Sequence, residues 1–160
     1  MSKKTAVVTG ANAGLGFEIS KALLLQDYRV VMACRNAEKA AAARSRLLAM
    51  VPGADASVLP LDISVLGSVA KFANLFAEQC GELDLLIDNA GIVAIPFTRN
   101  EAGHEMQMAT NYLGNFAQVG RMLPFFSAER SCRIVNVGSL AHRFGTLPLH
   151  DMNWEKDNYK

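Results

Sequence analysis

The sequence predicts a doubly wound parallel α/β sheet. Short, continuously apolar runs alternate with segments of helical periodicity. The runs read as strands covered on both faces, because polar residues do not alternate within them. A glycine turn, Gly10 to Gly16, stands between the first run and the first helical segment.

Each element has a local reason. Thr5 to Val8 reads as the first strand. The turn Thr9-Gly10-Ala11-Asn12-Ala13-Gly14-Leu15-Gly16 follows and leads into an amphipathic helix. A strand, a tight turn and a helix start make an anion site, since free N–H groups and the macrodipole both favour negative charge there. Arg29 to Cys34 (RVVMAC) is the second strand. Asn36 can cap the next helix, whose Ala40, Ala43, Leu47 and Met50 recur at helical spacing. Pro52-Gly53 stops it. Ala56 to Leu61 is the third strand. Ser64 is the expected cap of a helix with Leu66, Val69, Phe72, Ala73 and Phe76 on its apolar face, and Gly81 ends that helix. Leu83 to Ile87 is the fourth strand. A helical stretch runs from about Glu101 to Phe126, with Pro124 distorting its end. Ile134 to Val137 is the fifth strand. The polar tail from Gly145 to Lys160, with Pro148 and Trp154, is expected to be a surface loop.

Composition narrows the function classes. The chain has 160 residues, 51% apolar and 19% charged, enough for one domain with a core. A net charge of +1 with no basic block gives no footprint for nucleic acid or a membrane surface. Cys34, Cys80 and Cys132 are odd in number and widely spaced, as expected for reduced, mostly buried thiols. Together with His104, His142 and His150 they show no metal-ligand spacing. No signal peptide is visible ahead of the first strand, and no apolar run reaches about 18 residues. A cytoplasmic protein without a membrane span is the expectation.

The glycine spacing separates phosphate-binding turns from one another. A Gly-x-x-x-x-Gly-Lys-Ser/Thr loop fails, because position 15 is Leu15 and no lysine follows until Lys21. A Gly-x-Gly-x-x-Gly turn fails as well. The pattern Gly-x-x-x-Gly-x-Gly, at Gly10, Gly14 and Gly16, resembles the short-chain dehydrogenase/reductase family. Asn89-Ala90-Gly91, Asn111 within Thr110 to Phe116, and Ser139 after Ile134 to Gly138 follow in the family's order. The tail, Ser139 to Gly145 followed by Asp151-Met152-Asn153-Trp154, resembles the retinol-dehydrogenase-like and WW-domain-oxidoreductase-like branch.

The resemblance implies a Rossmann-like, NAD(P)-binding domain and a set of roles. Gly10, Asn12, Gly14, Leu15 and Gly16 would form the cofactor turn. At the end of the second strand an acidic residue would bind the ribose 2′-hydroxyl and favour NAD. Cys34 stands there, followed by Arg35, whose guanidinium can pair with a 2′-phosphate, so NADP is expected. Asp62 would contact adenine, or else serve as a helix N-terminal acid beside Ser64. Asn89, Ala90 and Gly91 would let the backbone approach the cofactor, while Asp88 departs from the commoner Asn. Asn111 would distort its helix and hold a water of the proton relay. Ser139 would donate to a substrate oxygen, or else cap the following turn.

The family's acid/base pair is Tyr-x-x-x-Lys. Met32 stands four residues after Tyr28, Phe116 four after Tyr112, and Tyr159 adjoins Lys160. The chain is therefore expected to be the cofactor-binding part of the enzyme, residues 1–160, incomplete on the C-terminal side, with the pair falling just downstream. The fifth strand would then be an open edge, and the isolated chain poorly soluble or stable only with a partner. The expected function is NADP-dependent interconversion of an alcohol and a carbonyl by a protein that is a homo-oligomer when full length. A lipophilic substrate, a retinoid or steroid, follows only from the branch resemblance. The alternative is a non-catalytic nucleotide-binding or interaction protein derived from that family.

Overall fold

The computed structural model describes residues 3–146 and 149–155. Five parallel strands are ordered β3-β2-β1-β4-β5: β1 Thr5–Thr9, β2 Arg29–Cys34, β3 Ala56–Pro60, β4 Leu85–Asp88 and β5 Arg133–Asn136. The order reverses between β1 and β4, and ligands bind outside the carboxyl ends of strands at such a switch point.

The apolar strands bury side chains on both faces. Ala6, Val8, Val30 and Met32 pack with Phe17 and Leu24 of α1 (Gly14–Leu25) and with Ala40 and Leu47 of α2 (Ala37–Met50). Val7, Val31, Leu59 and Leu86 point the other way, onto Val69, Phe72 and Phe76 of α3 (Leu66–Gln79). Residues one apart on a strand face opposite layers, so two cores sandwich the sheet.

The caps explain where helices begin. Asn36 Oδ1 accepts from Lys39 N at 2.8 Å and starts α2 as expected. Ser64 does not cap α3. Val65 occupies that position, and the Ser64 hydroxyl donates to Asp62 Oδ1 at 2.6 Å. The carboxylate two residues upstream is the stronger acceptor and takes the hydroxyl away from the helix.

The long helix also starts later than its pattern suggested. Asn100 Oδ1 accepts from the backbone of Ala102 and His104, holding that segment as a turn. Glu105 then caps the helix, accepting from Gln107 N and Met108 N at 2.9 and 2.7 Å. One helical turn, α4 (Met106–Met108), passes into a π-helical stretch, Ala109–Gly114, and on into α5 (Asn115–Met122). A 3₁₀ turn, Leu123–Phe125, follows at Pro124, as expected.

β5 is exposed along its length, as expected of an open edge, and Tyr112, Phe116 and Leu140 are exposed large apolar residues as well. The described part of the tail forms turns and bends with no helix or strand, as expected, but it is not wholly at the surface. Asp151 is buried and accepts from Glu155 N at 2.7 Å, while Asn153 Oδ1 accepts from Glu105 N at 3.3 Å. Pro148, Tyr159 and Lys160 lie outside the described residues. The described cysteines are unpaired; Cys34 is buried, and Cys80 and Cys132 are half-buried.

Candidate functional site

The glycine turn lies at the carboxyl end of β1. Gly10 has φ +65° and Gly14 φ +53°, a region that strains any residue with a Cβ. Gly16 is required by space: a Cβ there would stand 2.5 Å from Gly10 O and 2.6 Å from Asn89 Nδ2. Helix α1 therefore abuts its own turn. Its N-terminus has no side-chain cap and no acid in the first turn, so its free N–H groups and positive end face outward uncompensated.

Thr9 ties this turn to the segment after β4. Its Oγ1 accepts from Asn89 N at 2.9 Å and Ala90 N at 2.8 Å, and Asn89 Nδ2 donates back to Thr9 O at 2.8 Å. The expectation placed Asn89, Ala90 and Gly91 at the site but overlooked Thr9 as the residue that holds them there.

A cleft of about 450 Å³ opens over these strand ends. Gly10, Asn12, Arg35, Asp62, Ala90 and Gly91 all line it. Gly14, Leu15 and Gly16 lie on the first turn of α1, with Leu15 exposed, and Asn89 sits beneath, held to Thr9. Lys39 also lines the cleft and was missed. Its signal was present: it lies four residues after Arg35, in the first turn of the helix that Asn36 caps. Arg35 is well exposed, with Nη1 3.9 Å from Asp62 Oδ2. Asp62 Oδ1 accepts from Ser64 N and Oγ, which builds the turn at the cleft wall. Cys34 is buried at the end of β2, close to the backbone N–H groups of Ala11 and Asn12. Burial pushes its thiol up, so this strand end carries no negative side chain.

Asn111 lies in the π-helical stretch. Its Oδ1 accepts from Ile92 N at 2.9 Å and its Nδ2 donates to Ile92 O at 2.8 Å. Both side-chain ends thus clamp the backbone of one residue in the loop after Gly91. A Cβ on Gly91 would lie 3.3 Å from Asn111 Oδ1, a tight contact that the clamp would have to yield to by a few tenths of an ångström. Asn115 Nδ2 donates to Thr110 O and Asn111 O, capturing carbonyls that the wider turn leaves loose.

Ser139 follows β5 and is exposed, and it does not line the 450 Å³ cleft. Its Oγ accepts from Ala141 N at 3.1 Å, opening a short 3₁₀ turn, Leu140–Arg143. Capping uses the oxygen only and leaves the hydroxyl proton available to a ligand. Among the described residues no cluster of three or more His, Cys, Asp or Glu is placed to hold a metal. No helix among them is long and apolar enough to cross a membrane.

A switch-point cleft, a glycine turn under a bare helix N-terminus and a clamped Asn in a π-helical stretch belong to a Rossmann-like domain. The short-chain dehydrogenase family model matches residues 4–148, and the chain belongs to that family. Within the family it falls with the retinol-dehydrogenase-like members. It is 35% identical to human retinol dehydrogenase 13 over 156 residues, covering 98% of this chain and 47% of that protein. Human retinol dehydrogenase 12 is also 35% identical, over 96% of this chain and 48% of its own length. The chain thus spans about half the length of the curated relatives it matches.

Solved structures agree. An uncharacterised protein from Mycobacterium paratuberculosis superposes with a TM-score of 0.86 at 36% identity, covering 99% of this chain and 55% of its own. A metagenomic short-chain oxidoreductase in complex with NADP matches with a TM-score of 0.75 at 30% identity, covering 86% of this chain and 63% of its own.

Proposed function

We propose that this chain is the cofactor-binding half of an NADP-dependent oxidoreductase that interconverts an alcohol and a carbonyl. The observation that carries this reading is the charge at the end of β2. Two cations, Arg35 and Lys39, line the cleft there, and the strand ends in a buried neutral thiol rather than a carboxylate. A 2′-phosphate fits two cations; a bare ribose hydroxyl would call for an acceptor.

The residues present fit a dinucleotide. The Gly10–Gly16 turn and the first N–H groups of α1 would hold the pyrophosphate, and Arg35 with Lys39 the 2′-phosphate. Asp62 and its neighbours would wall the adenine end. When bound, NADP supplies or accepts the hydride. The chain's own contributions are positional. Thr9 and Asn111 fix the loop after β4 from two sides, and the Ser139 hydroxyl can donate to an oxygen that gains charge. Retinoids as substrates, a homo-oligomeric full-length protein and a cytoplasmic location belong to the same proposal.

A second reading, a non-catalytic nucleotide-binding protein, is favoured by one detail. Ser139 lies on its own turn, outside the cleft lined by Gly10, Asn12, Arg35, Asp62, Ala90 and Gly91. Fluorescence titration with NADPH and NADH tests the shared part of both readings. NADPH should bind at least about tenfold more tightly, the worth of one charge-assisted contact. Equal affinities would overturn the NADP assignment. Steady NADPH oxidation with an aldehyde or ketone, abolished by Ser139→Ala, would exclude the second reading.

A further inference from the structure

The stretch between β4 and α5 walls the cleft, and residues from the tail hold it in place. Ile92, Ile95, Met106 and Thr110 of that stretch line the cleft. Two ties come from nearby elements. Asn111 clamps Ile92, and Asn100 Nδ2 donates to Ser64 O at 2.8 Å, two residues after Asp62. A third tie comes from the tail. Asn153 Oδ1 accepts from Glu105 N at 3.3 Å, and Glu155 Oε1 lies 3.6 Å from Arg99 Nη1.

The tail is shaped for this contact. Asp151 is buried; its Oδ1 accepts from Glu155 N at 2.7 Å, and its backbone oxygen accepts from Trp154 N at 3.1 Å. These bonds close residues 151–155 into a turn that sets Asn153 and Glu155 against the wall. Trp154 has φ +53°, and so has Ala94 in the wall itself. Residues with a Cβ keep that conformation where surrounding contacts impose it, and such strain gathers at ligand clamps.

The receiving side moves as one piece. Arg99 and Glu105 form an antiparallel bridge, and Met106 N donates to Thr98 O at 3.0 Å. Glu105 is only 2% exposed, and its carboxylate caps α4 through Gln107 N and Met108 N. A helix start follows its cap, so the position of Glu105 sets that of Met106 and, one turn on, Thr110.

We propose that residues 151–155 are a latch on the cleft wall, with Asp151 and Asn153 as positioning residues for the ligand bound there. Asp151 closes the turn, Asn153 seats it on Glu105, and the 98–106 piece carries Met106 and Thr110 to the cleft. That the ligand is a nicotinamide dinucleotide rests on the oxidoreductase reading. The coupling is reciprocal: a latch that favours the bound form is tightened by the ligand.

Trp154 is the single tryptophan of the chain and stands in the latch, so it serves as the probe. Asn153→Leu removes the acceptor at a partly exposed position. Three quantities are compared with wild type: acrylamide quenching of Trp154, amide hydrogen exchange at Ile92 and residues 105–110, and affinity for NADPH and NADH. The variant should show more quenching and faster exchange, and it should bind both nucleotides about fivefold or more weakly, the lower end of ordinary coupling between sites. Saturating oxidised NADP should protect Trp154 from acrylamide in wild type but not in the variant, a response that a merely structural tail would not give. If the variant does not fold, this protection in wild type decides, and its absence overturns the proposal. Exchange unmoved in a folded variant, or faster exchange with both affinities kept, overturns it too. A wild type that binds neither nucleotide sinks the oxidoreductase reading and leaves exchange to decide the latch; tight binding with exchange unmoved does the reverse.

Discussion

Replacing Asp88 by Asn should change how stability depends on pH. The side chain keeps its shape and cannot ionise, so the buried charge is removed. In the folded protein burial raises the Asp88 pKa from 3.8 to about 7. A raised folded value means that the unfolded chain ionises first. The contribution of the acid form is therefore fully present below about pH 4 and is lost as pH rises to about 7. A shift of about three units at 1.36 kcal/mol each sets an upper bound of about 4 kcal/mol. Urea unfolding at a series of pH values reads this directly. Wild type and Asp88→Asn should agree within about 1 kcal/mol at pH 4. The variant should then gain on the wild type up to pH 7 and hold a constant lead above it. Stability curves that run parallel from pH 4 to 8 would refute the argument that Asp88 is buried without a partner for its charge.

Other positions give independent checks. A Cβ on Gly114 would lie 1.9 Å from the backbone oxygen of Ile63, so Gly114→Ala should destabilise by about 3 kcal/mol or more in urea. Gly120→Ala, with nothing within 4 Å, should stabilise the same helix by about 0.5–1 kcal/mol. Thr9→Val removes the acceptor of Asn89 N and Ala90 N. It should cost roughly 1–3 kcal/mol in stability and weaken NADPH binding in a fluorescence titration.

The strands were legible because a parallel sheet buried on both faces writes itself as apolar runs. β2 matches its expected bounds at both ends, and Gly10 and Gly16 announced the turn by spacing alone. The errors came where a distant or stronger partner overrode a local rule. Ser64 had the right chemistry to cap α3, but Asp62 claims its hydroxyl. Glu105 begins the long helix because Asn100 ties up the residues before it. Thr9 and Gly114 act across the fold, on Ala90 and Ile63, and neither contact leaves a trace at short range. The π-helical stretch around Asn111 was foreseen only through family resemblance, since an Asn in mid-helix by itself reads as neutral. Burial of Asp88 was equally hidden, because an acid at a strand end reads as solvent-facing until the register of β4 and β5 puts it over a core.

The claim that matters most is that the cleft is built for a 2′-phosphate, and Arg35→Asp tests it most directly. Arg35 is exposed and its ion pair with Asp62 is long, so the change should leave folding intact by circular dichroism. Affinities for NADPH and NADH are then measured on wild type and variant. The ratio should fall at least about tenfold, and up to about a hundredfold, the worth of one charge-assisted contact. A ratio unchanged by the substitution would contradict the account and remove the charge at the end of β2 as the basis of cofactor choice.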